Sequence, residues 1–136
     1  MRRGCAAVAL IVTAVVVAAV PAADASGPLT LKRSFDRVGE VKIEGHRYSS
    51  RLILSSPKGP VGTARYTCID RRQGLPHCSV NSKFSEGRIR ARGRLSSRGT
   101  LPIVGGSGAF RNARGDVAFG KSGRHAAFIY RLDSFG

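Results

Sequence analysis

The residues best suited to chemistry lie in one late stretch, Ile103-Val104-Gly105-Gly106-Ser107-Gly108-Ala109-Phe110, followed by Ala113-Arg114-Gly115. A glycine-rich segment can cradle a phosphate, because backbone N–H groups approach an anion closely where no side chain stands. The dinucleotide version of that device needs a third glycine where Arg111 stands and a helix with a second β-α unit beyond it, and neither is present. The P-loop version needs Lys and Ser or Thr after its last glycine. A nucleophile elbow built on Ser107 needs glycine where Ala109 stands. What remains from local evidence is a tight structural turn whose glycines take positive φ.

Other reactive side chains are sparse. His46, His77 and His125 have no metal-ligand spacing and no Cys/His cluster accompanies them, so no metal or other cofactor is expected. No paired carboxylates stand out for glycosidase-type acid and base work. Cys68 and Cys78 are candidates for one disulfide. A nucleophilic thiol would instead need a base, for which only His77 is adjacent, and a compartment that keeps it reduced. No catalytic residue is assigned.

The compartment follows from the opening residues. Arg2 and Arg3, a fifteen-residue uncharged apolar run from Ala6 to Val20, and Ala23-Asp24-Ala25 give the charged, apolar, small-residue order of a secretory signal. The apolar run is shorter than the ~20 residues of a spanning helix, so stable membrane insertion is not expected. Residues 1–25 are therefore expected to be a cleaved signal peptide, and residues 26–136 one secreted, extracellular domain. Cleavage removes Cys5, and in an oxidising compartment the remaining pair most simply closes a loop. That would stabilise the fold by about 3 kcal/mol in the chain-entropy model.

The whole chain carries +15, and loss of Arg2, Arg3 and Asp24 leaves +14 on the domain. Such a surplus attracts anionic polymers and envelope surfaces through salt-screened forces. Arginine outnumbers lysine eighteen to five, so a general compositional bias is the competing account. The densest part is Gly87 to Leu95, where Arg88, Arg90, Arg92 and Arg94 alternate with Ile89, Ala91 and Gly93. An arginine row of that kind either grips an anionic polymer or forms the charged exterior of a strand. No aromatics interleave with it, which removes support for nucleic-acid recognition by stacking.

The elements that position these residues are strands. Period-two alternation recurs through the domain, and no sustained helical spacing is seen. Strand segments are predicted at Leu29 to Phe35 with Arg33 interrupting the apolar face, at Glu40 to Glu44, Arg51 to Ser55, Val61 to Ile69 and Cys78 to Phe84. Others follow at Gly87 to Leu95, Thr100 to Val104, Asp116 to Gly120 and Arg124 to Leu132. Cys68 and Cys78 are equidistant from Gln73, so a hairpin centred there sets the two sulfurs opposite each other. About eight short antiparallel strands with regular turn signals give an all-β sandwich or barrel.

Gly105-Gly106-Ser107-Gly108-Ala109-Phe110 with Ala113-Arg114-Gly115 resembles the Gly-Gly-Thr-Gly-x-Phe/Tyr-x-x-Ala-Arg-Gly signature of the dirigent and allene oxide cyclase-like barrel family, with Ser107 in place of Thr. Val61-Gly62-Thr63 and the cysteine pair resemble its bacterial secreted members, and the similarity covers Val61 to Leu132. The resemblance implies an eight-stranded antiparallel barrel around an apolar cavity. It also implies a partner that is a small apolar or phenolic molecule, whose coupling or cyclisation is steered by position without a cofactor. The family's catalytic acids fall outside the signature and are not carried over. Arg114 would either point into the cavity or brace the turn. Related barrels form trimers, so an oligomer is open, although the outer faces are highly charged. The alternatives are a cationic extracellular module whose arginine face meets anionic polymers, and a barrel filled by its own side chains.

Overall fold

The computed structural model describes residues 28–71 and 74–136; the expected signal segment and the hairpin centre at Gln73 lie outside the described residues. Eight strands run in chain order: β1 (Leu29–Glu44), β2 (Arg47–Ser56), β3 (Gly59–Ile69), β4 (His77–Phe84), β5 (Gly87–Arg94), β6 (Thr100–Gly108), β7 (Arg114–Ser122) and β8 (His125–Ser134). Each pairs antiparallel with the next, and β1 pairs with β8 to close the barrel. Closure removes the unpaired edges that an open sheet would present. Eight strands enclose an interior just wide enough to be filled by side chains or to hold one small ligand.

The alternation in the sequence is read directly by the barrel. On β4, Cys78, Val80, Ser82 and Phe84 are buried, and on β5 Ile89 and Ala91 are buried between exposed arginines. On β8, Phe128, Tyr130 and Leu132 face the interior. Phe128 and Tyr130 are wholly buried, each burial contributing about 1.5 to 3 kcal/mol. Cys68 lies opposite Cys78 in the β3–β4 ladder, and the two form a disulfide with a Cα–Cα distance of 4.1 Å.

Two expectations are corrected. The segments around Leu29 and Val41 are one strand with an irregularity: the β1–β2 register slips between Val38 and Lys42, where Gly39 takes φ 76°. The glycine-rich stretch is not a turn of left-handed glycines either. Gly105 to Gly108 form the end of β6, and of these only Gly108 has a positive φ, 63°. The chain turns just after, at Ala109 to Ala113, where Asn112 has φ 61°. Gly106 is needed for another reason. A Cβ there would come within 2.3 Å of the Phe110 carbonyl oxygen and 2.5 Å of the Arg88 carbonyl oxygen, so β6 approaches its neighbours too closely for any side chain.

Within that turn Phe110 folds back over the end of the barrel. It packs against Phe84 (5.9 Å between ring centroids) and Phe135 (6.1 Å), and all three are buried. Gly136 N donates to Arg111 O, fixing the C-terminus across the same end. This end of the barrel is closed by three aromatic rings.

Candidate functional site

The opposite end is open, and the cause is the irregularity in β1. Gly39, Glu40 and Val41 lie opposite the single residue Ser50 of β2, so the two strands spread apart there. Between them and the β7–β8 hairpin is a cavity of about 470 Å³. Its walls are aromatic and aliphatic: Phe35 from β1, Tyr48 and Leu52 from β2, Tyr66 from β3, Phe119 from β7 and Phe128 from β8. Asp36, Arg37 and Ala126 are exposed at its rim. The rings support one another in series. Phe35 stacks on Phe128 at 4.4 Å, Phe128 meets Phe119 edge-on at 5.2 Å, Phe119 meets Tyr66 at 5.3 Å, and Tyr66 meets Tyr48 at 6.3 Å. Such contacts fix ring orientation as well as excluding water.

Polar atoms are few and specific. Ser50 lines this cavity, and its hydroxyl is buried without a hydrogen-bond partner. An unsatisfied buried hydroxyl costs about 1 to 3 kcal/mol, so the site favours a molecule with a polar atom to offer it. Burial, followed by the neighbouring Tyr48 hydroxyl, pushes the Tyr66 phenol well above its ordinary value. Tyr66 therefore stays neutral at physiological pH and acts as a hydrogen-bonding group instead of a base. Its Oη lies 3.8 Å from Cys78 Sγ.

Deeper in the barrel, the Ser82 and Tyr130 hydroxyls are hydrogen-bonded at 2.7 Å and both residues are buried. Burial raises the Tyr130 phenol above its usual range, partly offset by Ser82 and by Arg33. Arg33 is the interruption in the apolar face of β1: it is paired with Phe128 and so shares the inward parity. Its Nη1 donates to Lys32 O at 2.9 Å, while its Nε is buried without a partner.

The residues singled out from the sequence lie elsewhere. None of Gly105, Gly106, Ser107, Gly108, Phe110 and Arg114 lines the mouth. Gly105 to Gly108 form strand, Phe110 plugs the closed end, and Ser107 is exposed. Arg114 is exposed and braces the turn, its Nη1 donating to Ala113 O at 2.7 Å and reaching Val104 O at 3.4 Å. Arg88, Arg90, Arg92 and Arg94 stand exposed on the outer face of β5. Among the described residues no group of three or more His, Cys, Asp or Glu is placed to hold a metal ion, and no helix is long and apolar enough to cross a membrane. The mouth residues had only one signal in the sequence, shared parity: Tyr48, Ser50, Leu52 and Leu54 all point inward on β2.

The fold and the site together define a small closed β-barrel with one plugged end and one open aromatic end. No family model matches the chain, and no curated protein does. Among solved structures the chain is similar to a pyocyanin demethylase, with a TM-score of 0.59 at 17% identity, over 76% of this chain and 99% of that one. At that identity the likeness is one of fold.

Proposed function

We propose that this protein is an exported barrel that binds a small apolar or phenolic molecule in its aromatic mouth and holds it for coupling or cyclisation without a cofactor. The observation that carries this reading is the cavity of about 470 Å³ walled by Phe35, Tyr48, Tyr66, Phe119 and Phe128, with Ser50, whose hydroxyl is unpartnered, in its lining. Its size lies within the ~300 to 1,000 Å³ of small-molecule sites, and its make-up of apolar walls with a few polar groups matches theirs. A planar ring would lie against the Phe35–Phe128 stack, and a hydroxyl or carbonyl on it would meet Ser50 or the neutral Tyr66 phenol. These residues supply shape and hydrogen bonds, which act by holding a reactive molecule in one conformation.

Two further lines support the reading. The Gly105 to Gly115 signature resembles that of dirigent and allene oxide cyclase-like barrels, and the solved structure of similar fold is named for acting on pyocyanin. Export is supported by the Cys68–Cys78 disulfide, a bond that persists in oxidising compartments, and by the order of residues 1–25.

Isothermal titration with 2-naphthol as the phenolic probe tests the proposal. Binding is expected to change little between low and high salt, since apolar burial drives it. Ala126→Trp places a large ring across the rim from an exposed position, and it should weaken binding by about tenfold or more with an unchanged melting temperature. Equal binding by the wild type and by Ala126→Trp would exclude the mouth as the site.

A further inference from the structure

The outer face of β2 to β5 is a second surface with its own chemistry. Eight lysines and arginines occur in these four strands, and no aspartate or glutamate does. The strand register aligns them in transverse rows. Arg51, Arg65, Asn81 and Arg90 are successive partners across β2, β3, β4 and β5, and Ile53, Thr63, Lys83 and Arg88 form the next row. Long side chains from both rows wall a surface groove of about 580 Å³. A second groove of about 460 Å³ continues it past Asn81 and Arg90 toward Arg92 and His77. Neither of the two ion pairs among the described residues, His125–Asp36 and Arg131–Asp116, involves this face. The carboxylates that border it are Asp70 and Glu86 in the connecting segments and, on β1, Asp36 opposite Ile53, Glu40 at the irregularity and Glu44 opposite Arg47.

The spacing is regular as well as the sign. Alternate residues of a strand are ~7 Å apart, so the backbone positions of the exposed Arg88, Arg90, Arg92 and Arg94 repeat at that interval. Six single bonds in extended geometry also span ~7 Å, the reach of two peptide residues. Six bonds separate successive phosphorus atoms in a chain of three-carbon polyol units joined by phosphodiesters, as they do in a nucleic acid backbone. The spacing therefore fits a phosphodiester chain, and the absence of a stacking platform disfavours one that carries bases. Arg90 is accommodated by the adjoining strand: it pairs with Gly105, where a Cβ would lie 2.9 Å from its Nη2. One glycine of the sequence motif thus leaves room for this arginine. Phe, Tyr and Trp are missing from the outward positions of β2 to β5, so the face has no platform on which bases could stack.

We infer that this face binds an extended polyol-phosphate polymer through its phosphodiester backbone, independently of the mouth. The test is fluorescence anisotropy of the purified protein with a labelled oligo(glycerol phosphate), titrated across ionic strength. Four phosphate contacts give a slope of log affinity against log salt of about −3, and the triple variant Arg88→Ser, Arg90→Ser, Arg92→Ser should lower its magnitude by about 2. A control variant that removes equal charge on the β1–β8 side of the barrel, Lys32→Ser, Lys121→Ser, Arg124→Ser, should leave the slope within one unit of the wild type. Equal losses in both variants would mean that net charge, not this face, is read, and the inference would be wrong. Single-stranded DNA with the same number of phosphates should bind no tighter than the polyol phosphate. Tenfold tighter binding of the DNA, or binding only to anionic vesicles, overturns the assignment. Naphthol binding in the mouth should be unchanged by the arginine variant, which keeps the outcome separate from that of the proposed function.

Discussion

Replacing Gly106 with alanine tests why the double glycine is there. In the folded chain the new methyl carbon would sit 2.3 Å from Phe110 O and 2.5 Å from Arg88 O, about an ångström inside ordinary contact distance. Both obstacles are backbone. Phe110 O accepts a hydrogen bond from Ala113 N at 3.1 Å in the turn behind the aromatic plug, and Arg88 O belongs to the β5 ladder. Relief requires moving one of these segments, which loosens at least one hydrogen bond at a net ~1 kcal/mol. Misfit in the plug adds roughly 2 kcal/mol, within the range for overpacked cores. The expected loss is about 3 kcal/mol, or a melting temperature lower by roughly 10 to 20 °C for a domain of this size. Gly105→Ala is the control. Its methyl would meet only the end of the flexible Arg90 side chain at 2.9 Å, so stability should stay within about 0.5 kcal/mol of the wild type. Thermal melts followed by circular dichroism at 218 nm, a wavelength suited to strands, measure both. Equal effects of the two substitutions would refute the close-approach explanation and return the pair to a shared conformational role.

Three further outcomes are expected. Tyr130→Phe leaves Ser82 buried without its 2.7 Å partner and should cost about 1 to 3 kcal/mol, whereas adding Ser82→Ala should recover part of the loss; chemical denaturation of the single and double variants gives the coupling. Because the Tyr130 phenol is raised in the fold, the unfolded chain loses this proton first as pH rises, so stability present below about pH 10 should fall by about 1.4 kcal/mol per pH unit above it. Urea titrations from pH 9 to 11 check this, and the slope should become shallower by that amount in Tyr130→Phe, the half-buried Tyr66 phenol, also raised, supplying the remainder. Reduction of Cys68–Cys78 should lower stability by about 3 kcal/mol while leaving the strand signature in circular dichroism, since the cysteines are ten positions apart in the chain and the ladder around them persists.

What the sequence made legible was whatever depends on local alternation. The alternation of β5 separates its exposed arginines from the buried Ile89 and Ala91, and the equal distance of Cys68 and Cys78 from Gln73 predicts the register found between them. The mouth was hidden because it depends on pairing between distant segments. Nothing near Gly39 announces that three residues of β1 will face Ser50 alone, and that mismatch opens the cavity. The wall residues come from β1, β2, β3, β7 and β8, each unremarkable by itself. Gly106 was misread for the same reason: the carbonyls that exclude a side chain belong to Arg88 and to a turn beyond the motif, so a steric requirement looked like a conformational one. Arg33 did stand out as a charge on an apolar face, but only the closure of β1 onto β8 places it inside the barrel.

Amide NMR of the labelled protein during titration with 2-naphthol addresses the proposed function most directly. Shifts concentrated on Tyr48, Ser50, Tyr66, Phe119 and Ala126 are predicted, with Arg88 to Arg94 unmoved. Shifts confined to the outer strands, or none at concentrations where the probe is soluble, would contradict a ligand-binding mouth.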